Sequence, residues 1–148
     1  MQRARLPLVI VGSAALVLGL TACEKPNPGA TVFSGTSSAY QQALCWAPEG
    51  QYLDEKSCAS DVLDAGGSKQ SISVTPGQTI GISVDPVVAE KGWFPAIGGQ
   101  RITAAPVTQT YFRFTPTAEQ LATAQTPLWI VAGDDKGTSG IWVYQLTQ

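Results

Sequence analysis

The chain has 148 residues, 44% of them hydrophobic and 14% charged, with nine basic and eleven acidic side chains and no histidine. Without histidine there is no Ser-His-Asp or Cys-His nucleophilic machinery, no usual zinc constellation and no blue-copper set of two histidines with a cysteine. There is also no basic cluster to neutralise phosphates, so nucleic acid is not an expected partner.

The first 22 residues have the parts of a secretory signal. Arg3 and Arg5 precede an uncharged run, Leu6 to Leu20, which small residues then close. A spanning helix needs about 20 apolar residues. This run is shorter and carries Pro7, Gly12 and Gly19. Small side chains at Thr21 and Ala22 suit a protease pocket, and the thiol of Cys23 is a nucleophile that can accept a lipid. Leu20-Thr21-Ala22-Cys23 resembles the lipobox of bacterial lipoproteins. That resemblance implies diacylglyceryl modification of Cys23, with fatty chains such as palmitate, and a location on the outer face of the cell membrane. Loss of Arg3 and Arg5 with the signal leaves seven basic residues against eleven acidic ones, near −4. The expected organisation is a lipoprotein signal peptide over 1–22, a lipidated tether over 23–29, and one domain over 30–148. Pro26 and Pro28 keep the tether extended, at about 3.1 Å per residue and roughly 20 Å of reach.

Once Cys23 is assigned to lipid, Cys45 and Cys58 remain as an even pair in an exported chain. A disulfide between them closes a loop of about 14 residues and contributes ~3 kcal/mol on a chain-entropy estimate. Two free thiols or a redox pair are the alternatives, but the spacing is too wide for a Cys-x-x-Cys site. Around the pair, Ala43 to Trp46 reads as a short strand and Glu49 to Ser57 as a polar loop.

Further along, Ile72 and Val74 alternate before the Pro76-Gly77 turn, and Ile80, Ile82 and Val84 share one strand face. Asp85, held extended by Pro86, ends or caps a strand. Trp93 to Ile97 is an apolar run closed by Gly98-Gly99. Thr110 to Phe114 puts Phe112 and Phe114 opposite Tyr111 and Arg113. One helical turn is expected after Pro116, with Thr117 and Gln120 as a capping box and Pro127 as a stop. Leu128 to Ala132 and Ile141 to Leu146 flank the turn-rich Gly133 to Gly137 and form the clearest hairpin. Trp142, Tyr144 and Leu146 oppose Ile141, Val143 and Gln145, so the last strand is apolar on both faces and should be central. The expected fold is all-β, an immunoglobulin-like β-sandwich with one short helical segment.

Taken together, Cys23-Glu24-Lys25-Pro26-Asn27-Pro28, Thr31-Val32, the cysteine pair, Val84-Asp85-Pro86-Val87-Val88-Ala89, Gly92-Trp93 and Gly140-Ile141-Trp142 resemble small actinobacterial lipoproteins catalogued as a domain of unknown function. The resemblance runs over most of the mature chain. It implies an exported, lipid-anchored domain and brings no catalytic or binding residues.

Among candidate sites, Asp134 and Asp135 lack the ligand alternation of a calcium loop and read as turn formers. Asp61 with Asp64, or Asp54 with Glu55, are the carboxylate pairs a hydrolase would use. Trp129 and Trp142 read as core residues packed across paired strands. Trp93, Phe94 and Tyr111 are the expected partner patch. No cofactor or metal is expected, and the favoured reading is a non-enzymatic domain that binds an envelope protein or wall component near the membrane. The alternatives are a small-ligand carrier with a pocket between the sheets and a carboxylate-dependent hydrolase.

Overall fold

A computed structural model describes residues 25–64 and 70–148. The expected signal peptide and Cys23 lie outside the described residues. The chain order is β1 (Gly29–Ser34), β2 (Ser37–Gln42), β3 (Cys45–Trp46), α1 (Glu55–Asp64), β4 (Ser71–Ser73), β5 (Ile80–Val84), α2 (Pro86–Lys91), β6 (Trp93–Ile97), β7 (Gln100–Arg101), β8 (Tyr111–Phe114), β9 (Gln125–Gly133) and β10 (Thr138–Thr147). These strands form an all-β sandwich. One sheet has four strands in the order β2-β1-β5-β8; the other has six, β3-β10-β9-β6-β7, with β4 added beside β10. Pairing is antiparallel throughout except between β4 and β10.

Two-residue alternation decides what faces the core. Ala30 and Val32 of β1, Ile80, Ile82 and Val84 of β5, and Ile72 of β4 are all buried. Those of the four-stranded sheet meet Ile72, Trp93, Leu128, Ile130, Trp142, Tyr144 and Leu146 of the other sheet in one apolar cluster. The large aromatics also fasten the sheets through their polar ends. Trp142 Nε1 donates to the Pro28 carbonyl at 3.2 Å, and the Tyr144 hydroxyl donates to the Ala30 carbonyl at 2.6 Å. Both bonds run from β10 to the start of β1, so the last strand holds down the first. Burial is the main cause that pushes the Tyr144 phenol well above its ordinary value.

As expected from its two apolar faces, β10 is central. It pairs with β9 along one edge and with β3 and β4 along the other. In the gap between β3 and β4, Gln41 Nε2 donates to the Val143 carbonyl at 3.1 Å. The β9–β10 hairpin and the β6–β7 turn also match the sequence reading. In the latter, Gly98 and Gly99 both take positive φ, +56° and +83°, as a tight two-residue turn requires. Cys45 and Cys58 are joined in a disulfide that ties α1 to β3.

Several expectations are corrected. The segment after Pro116 forms its capping box, with Thr117 N–H donating to Gln120 Oε1 at 2.9 Å and Gln120 N–H to Thr117 Oγ1 at 3.2 Å. It remains a single turn and not a helix, because β9 takes up the chain from Gln125. The helices lie elsewhere. The expected polar loop Glu49 to Ser57 runs into α1 at Glu55, where Asp54 Oδ1 accepts the Lys56 N–H at 3.0 Å as an N-terminal cap. Past Asp85, where β5 has ended, Val87-Val88-Ala89 lie in α2, a helix the sequence reading did not expect. Pro86 offers no N–H to a sheet ladder and its fixed φ suits a first helical position. Trp129 and Trp142 are not cross-strand partners. Trp142 pairs with Ile130 on the inner face, while Trp129 pairs with Val143 on the outer one. Gly29, the last residue of the expected tether, is the first of β1, and the Pro28 carbonyl already accepts the Ala43 N–H at 2.8 Å.

Candidate functional site

The outer face of the four-stranded sheet is where exposed aromatic rings gather. The burial of Ala30 and Val32 points Thr31 and Phe33 outward from β1. Cross-strand register then extends the face. Tyr40, Thr31, Ser83 and Tyr111 stand in one row across β2, β1, β5 and β8. Three strand spacings separate the two tyrosines, roughly 14 Å. The neighbouring row is Ser38, Phe33, Gly81 and Arg113.

Two glycines let the rings lie against the sheet. A Cβ on Gly81 would overlap the Phe33 ring, and one on Gly29 would overlap the ring of Tyr40. The missing side chains therefore provide the space over which these rings settle. Phe33 in turn neighbours Tyr111, with centroids 6.1 Å apart and planes within 11°. Tyr40 is 56% exposed and Tyr111 44%. Arg113 is also exposed and is the sole formal charge in the two rows.

At the Tyr40 end the face opens into a cleft of about 600 Å³ lined by Lys25, Pro28, Tyr40, Trp46, Asp85 and Val87 among others. Asp85 is spent on structure there, since its carboxylate accepts the Gly29 N–H at 2.7 Å. It occupies the N-cap position of α2 but makes no side-chain cap bond there. Beside this cleft, Lys91 Nζ sits 5.7 Å from the centroid of the Trp46 ring.

The expected patch of Trp93, Phe94 and Tyr111 is not one surface. Trp93 is fully buried, with Nε1 donating to the Gln109 carbonyl at 2.9 Å and its ring edge-on to Phe112. Phe94 alternates to the outer face of the other sheet, where Arg101 stacks on it at 4.0 Å. Tyr111 alone lies on the exposed aromatic face. The residues that sequence reading missed there are Tyr40, Phe33, Thr31 and Ser83. Their signal was weak because β2 reads Ser-Ser-Ala-Tyr-Gln-Gln, a polar edge strand in which only Ala39 is buried.

The carboxylates resolve differently. Asp134 Oδ1 accepts the Lys136 N–H at 2.8 Å and the Gly137 N–H at 3.3 Å, and Oδ2 accepts the Tyr52 hydroxyl at 3.0 Å. The Lys136 N–H is the largest influence holding this carboxyl below its usual range, and the same Asp134 bond raises the Tyr52 phenol. The residue shapes the hairpin loop. Asp54 caps α1, and the side chains of Glu55, Asp61 and Asp64 lie outside the described residues. Among the described residues, no group of three or more His, Cys, Asp or Glu could hold a metal ion, and no helix is long and apolar enough to cross a membrane.

Comparison with known proteins finds no matching protein family, curated protein or solved structure.

Proposed function

We propose that this chain is a lipid-anchored extracytoplasmic protein, akin to small actinobacterial lipoproteins, whose sandwich binds an envelope component without catalysis. The contact surface is the outer face of the four-stranded sheet. The observation that carries this reading is the Tyr40–Thr31–Ser83–Tyr111 row, with Phe33 beside it on Gly81. Exposed rings supported by the backbone beneath them offer contact area at little entropic cost.

Two further facts favour contact over the alternatives. The space between the sheets holds Trp93, Trp142, Tyr144, Leu128 and Ile130, each with zero exposure, which disfavours a carrier pocket there. Asp54 and Asp134 are committed to a cap and a turn, which disfavours their use in hydrolysis. Lys25, two residues after Cys23, lines the cleft at the Tyr40 end, so the anchor would hold this face close to the headgroups.

Photo-crosslinking in cells tests the reading. A photoreactive residue at position 40 or 111 of the full-length protein should capture a reproducible envelope component. The same residue at Gln145, on the other sheet, should not. Equal capture from all three positions would sink the proposal. Metabolic labelling with palmitate tests the anchor, and label that persists in Cys23→Ala would overturn it.

A further inference from the structure

We infer that the occupant of this face is an acidic glycan, a run of pyranose rings bearing a carboxylate; the inference rests on the binding reading above and names its ligand. Three features select that chemistry. First, the rings rest against the sheet. Phe33 and Tyr40 lie over glycines, and Tyr111 is within 11° of the Phe33 plane. An aromatic face carries the negative side of the ring quadrupole and attracts the C–H face of a sugar ring.

Second, the ground between Tyr40 and Tyr111 is hydroxyl-bearing. Thr31 and Ser83 occupy it, and neither has a side-chain hydrogen-bond partner among the described residues. Each hydroxyl can both donate and accept, which matches the mixed donor and acceptor character of sugar hydroxyls. A protein partner anchors best by filling apolar pockets. Here the apolar surface consists of flat rings separated by polar ground, spread over roughly 14 Å of sheet.

Third, the charge of the face sets the charge of the ligand. Arg113 closes the second row beside Tyr111 and has no acidic partner among the described residues. Its planar fork matches a carboxylate with two parallel hydrogen bonds. Asp85, in the cleft at the Tyr40 end, is engaged by the Gly29 N–H. A neutral polysaccharide leaves Arg113 unused, whereas a uronic-acid type of sugar uses the rings and the guanidinium together.

The test uses the full-length protein in detergent micelles, titrated calorimetrically with hyaluronan and polygalacturonate oligosaccharides. Saturable binding to at least one is expected, and the carboxyl-reduced form of that oligosaccharide should bind about tenfold more weakly or worse. Arg113→Gln and Tyr111→Ala should each weaken binding by about tenfold, while Trp129→Ala, on the other sheet, leaves it unchanged. Thermal melts establish that the variants are folded. No saturable binding to either acidic glycan, equal binding of the reduced form, or indifference to both substitutions overturns the inference. If glycans fail while positions 40 and 111 crosslink a protein, the ligand class falls and the binding face stands; if crosslinking fails too, both fall.

Discussion

Two sets of aromatic residues divide this molecule. Inside, Trp93, Trp142 and Tyr144 are fully buried, and each polar atom has a carbonyl to satisfy it: Gln109, Pro28 and Ala30 respectively. Outside, Tyr40 and Tyr111 are about half exposed, and their hydroxyls have no hydrogen-bond partner among the described residues. The residue types are alike, and the sets belong to the two opposed sheets of the sandwich. What separates them is whether the ring's apolar area and its polar tip are both used by the fold. The inner set contributes stability, and the outer set forms the proposed contact surface.

The largest way to break that comparison is to exchange the consequences. Trp93→Ala should cost about 3–5 kcal/mol in urea unfolding, from lost burial plus the cavity left behind. Tyr111→Ala should change stability by less than about 0.5 kcal/mol. Comparable losses from the two would erase the division.

Next comes the disulfide. Cys45→Ser should cost ~3 kcal/mol through the freed loop. The loss should appear as earlier melting of the region around α1, with hydrogen exchange in β1, β5 and β8 little altered below global unfolding. Early exchange in those strands would show that the outer face depends on the bridge.

Tyr144→Phe sharpens the inner half of the comparison. It removes the bond from the phenol to the Ala30 carbonyl and should cost about 0.5–1.5 kcal/mol at neutral pH. It should also change the pH profile. The folded-state phenol titrates above its unfolded value, so its contribution is fully present below about pH 10 and is lost as pH rises towards the folded value, by ~1.4 kcal/mol per unit. Tyr52 is raised too, by its bond to Asp134, and acts in the same direction from the surface. Urea midpoints measured from pH 9 to 11 on Tyr144→Phe and Tyr52→Phe separate the two. A Tyr144→Phe profile as steep as that of the parent would remove Tyr144 as the cause.

A small effect on stability is also expected of Gly81→Ala, within about 1 kcal/mol. Its methyl takes the place of the Phe33 ring, so the ring must lift from the sheet. The readout is the loss of the Phe33 ring-current shift on Tyr111 protons. An unchanged Tyr111 spectrum would show that Gly81 does not seat the platform.

Much of the interior was legible in the chain. Ile80, Ile82 and Val84 alternate cleanly, the Gly133–Gly137 segment announces its hairpin, and Gly98-Gly99 stops β6 where the structure stops it. The outer face was not, because β2 is short, polar and at a sheet edge, where packing leaves little imprint on sequence. The helices escaped for related reasons. α1 is built of mostly polar residues, and the valines of α2 favour strands until Pro86 is weighed.

By itself the sequence determined the strand periods and the turns, since each depends on neighbours along the chain. Alternation also determined that Trp93 opposes Phe94 and that Phe112 opposes Tyr111. It did not determine which of each pair faces inward, because a period of two separates faces without naming them. Only the stacking of one sheet on the other buried Trp93 and left Phe94 outside. Only cross-strand register placed Tyr40 and Tyr111, remote in sequence, in one row with Thr31 and Ser83 between them.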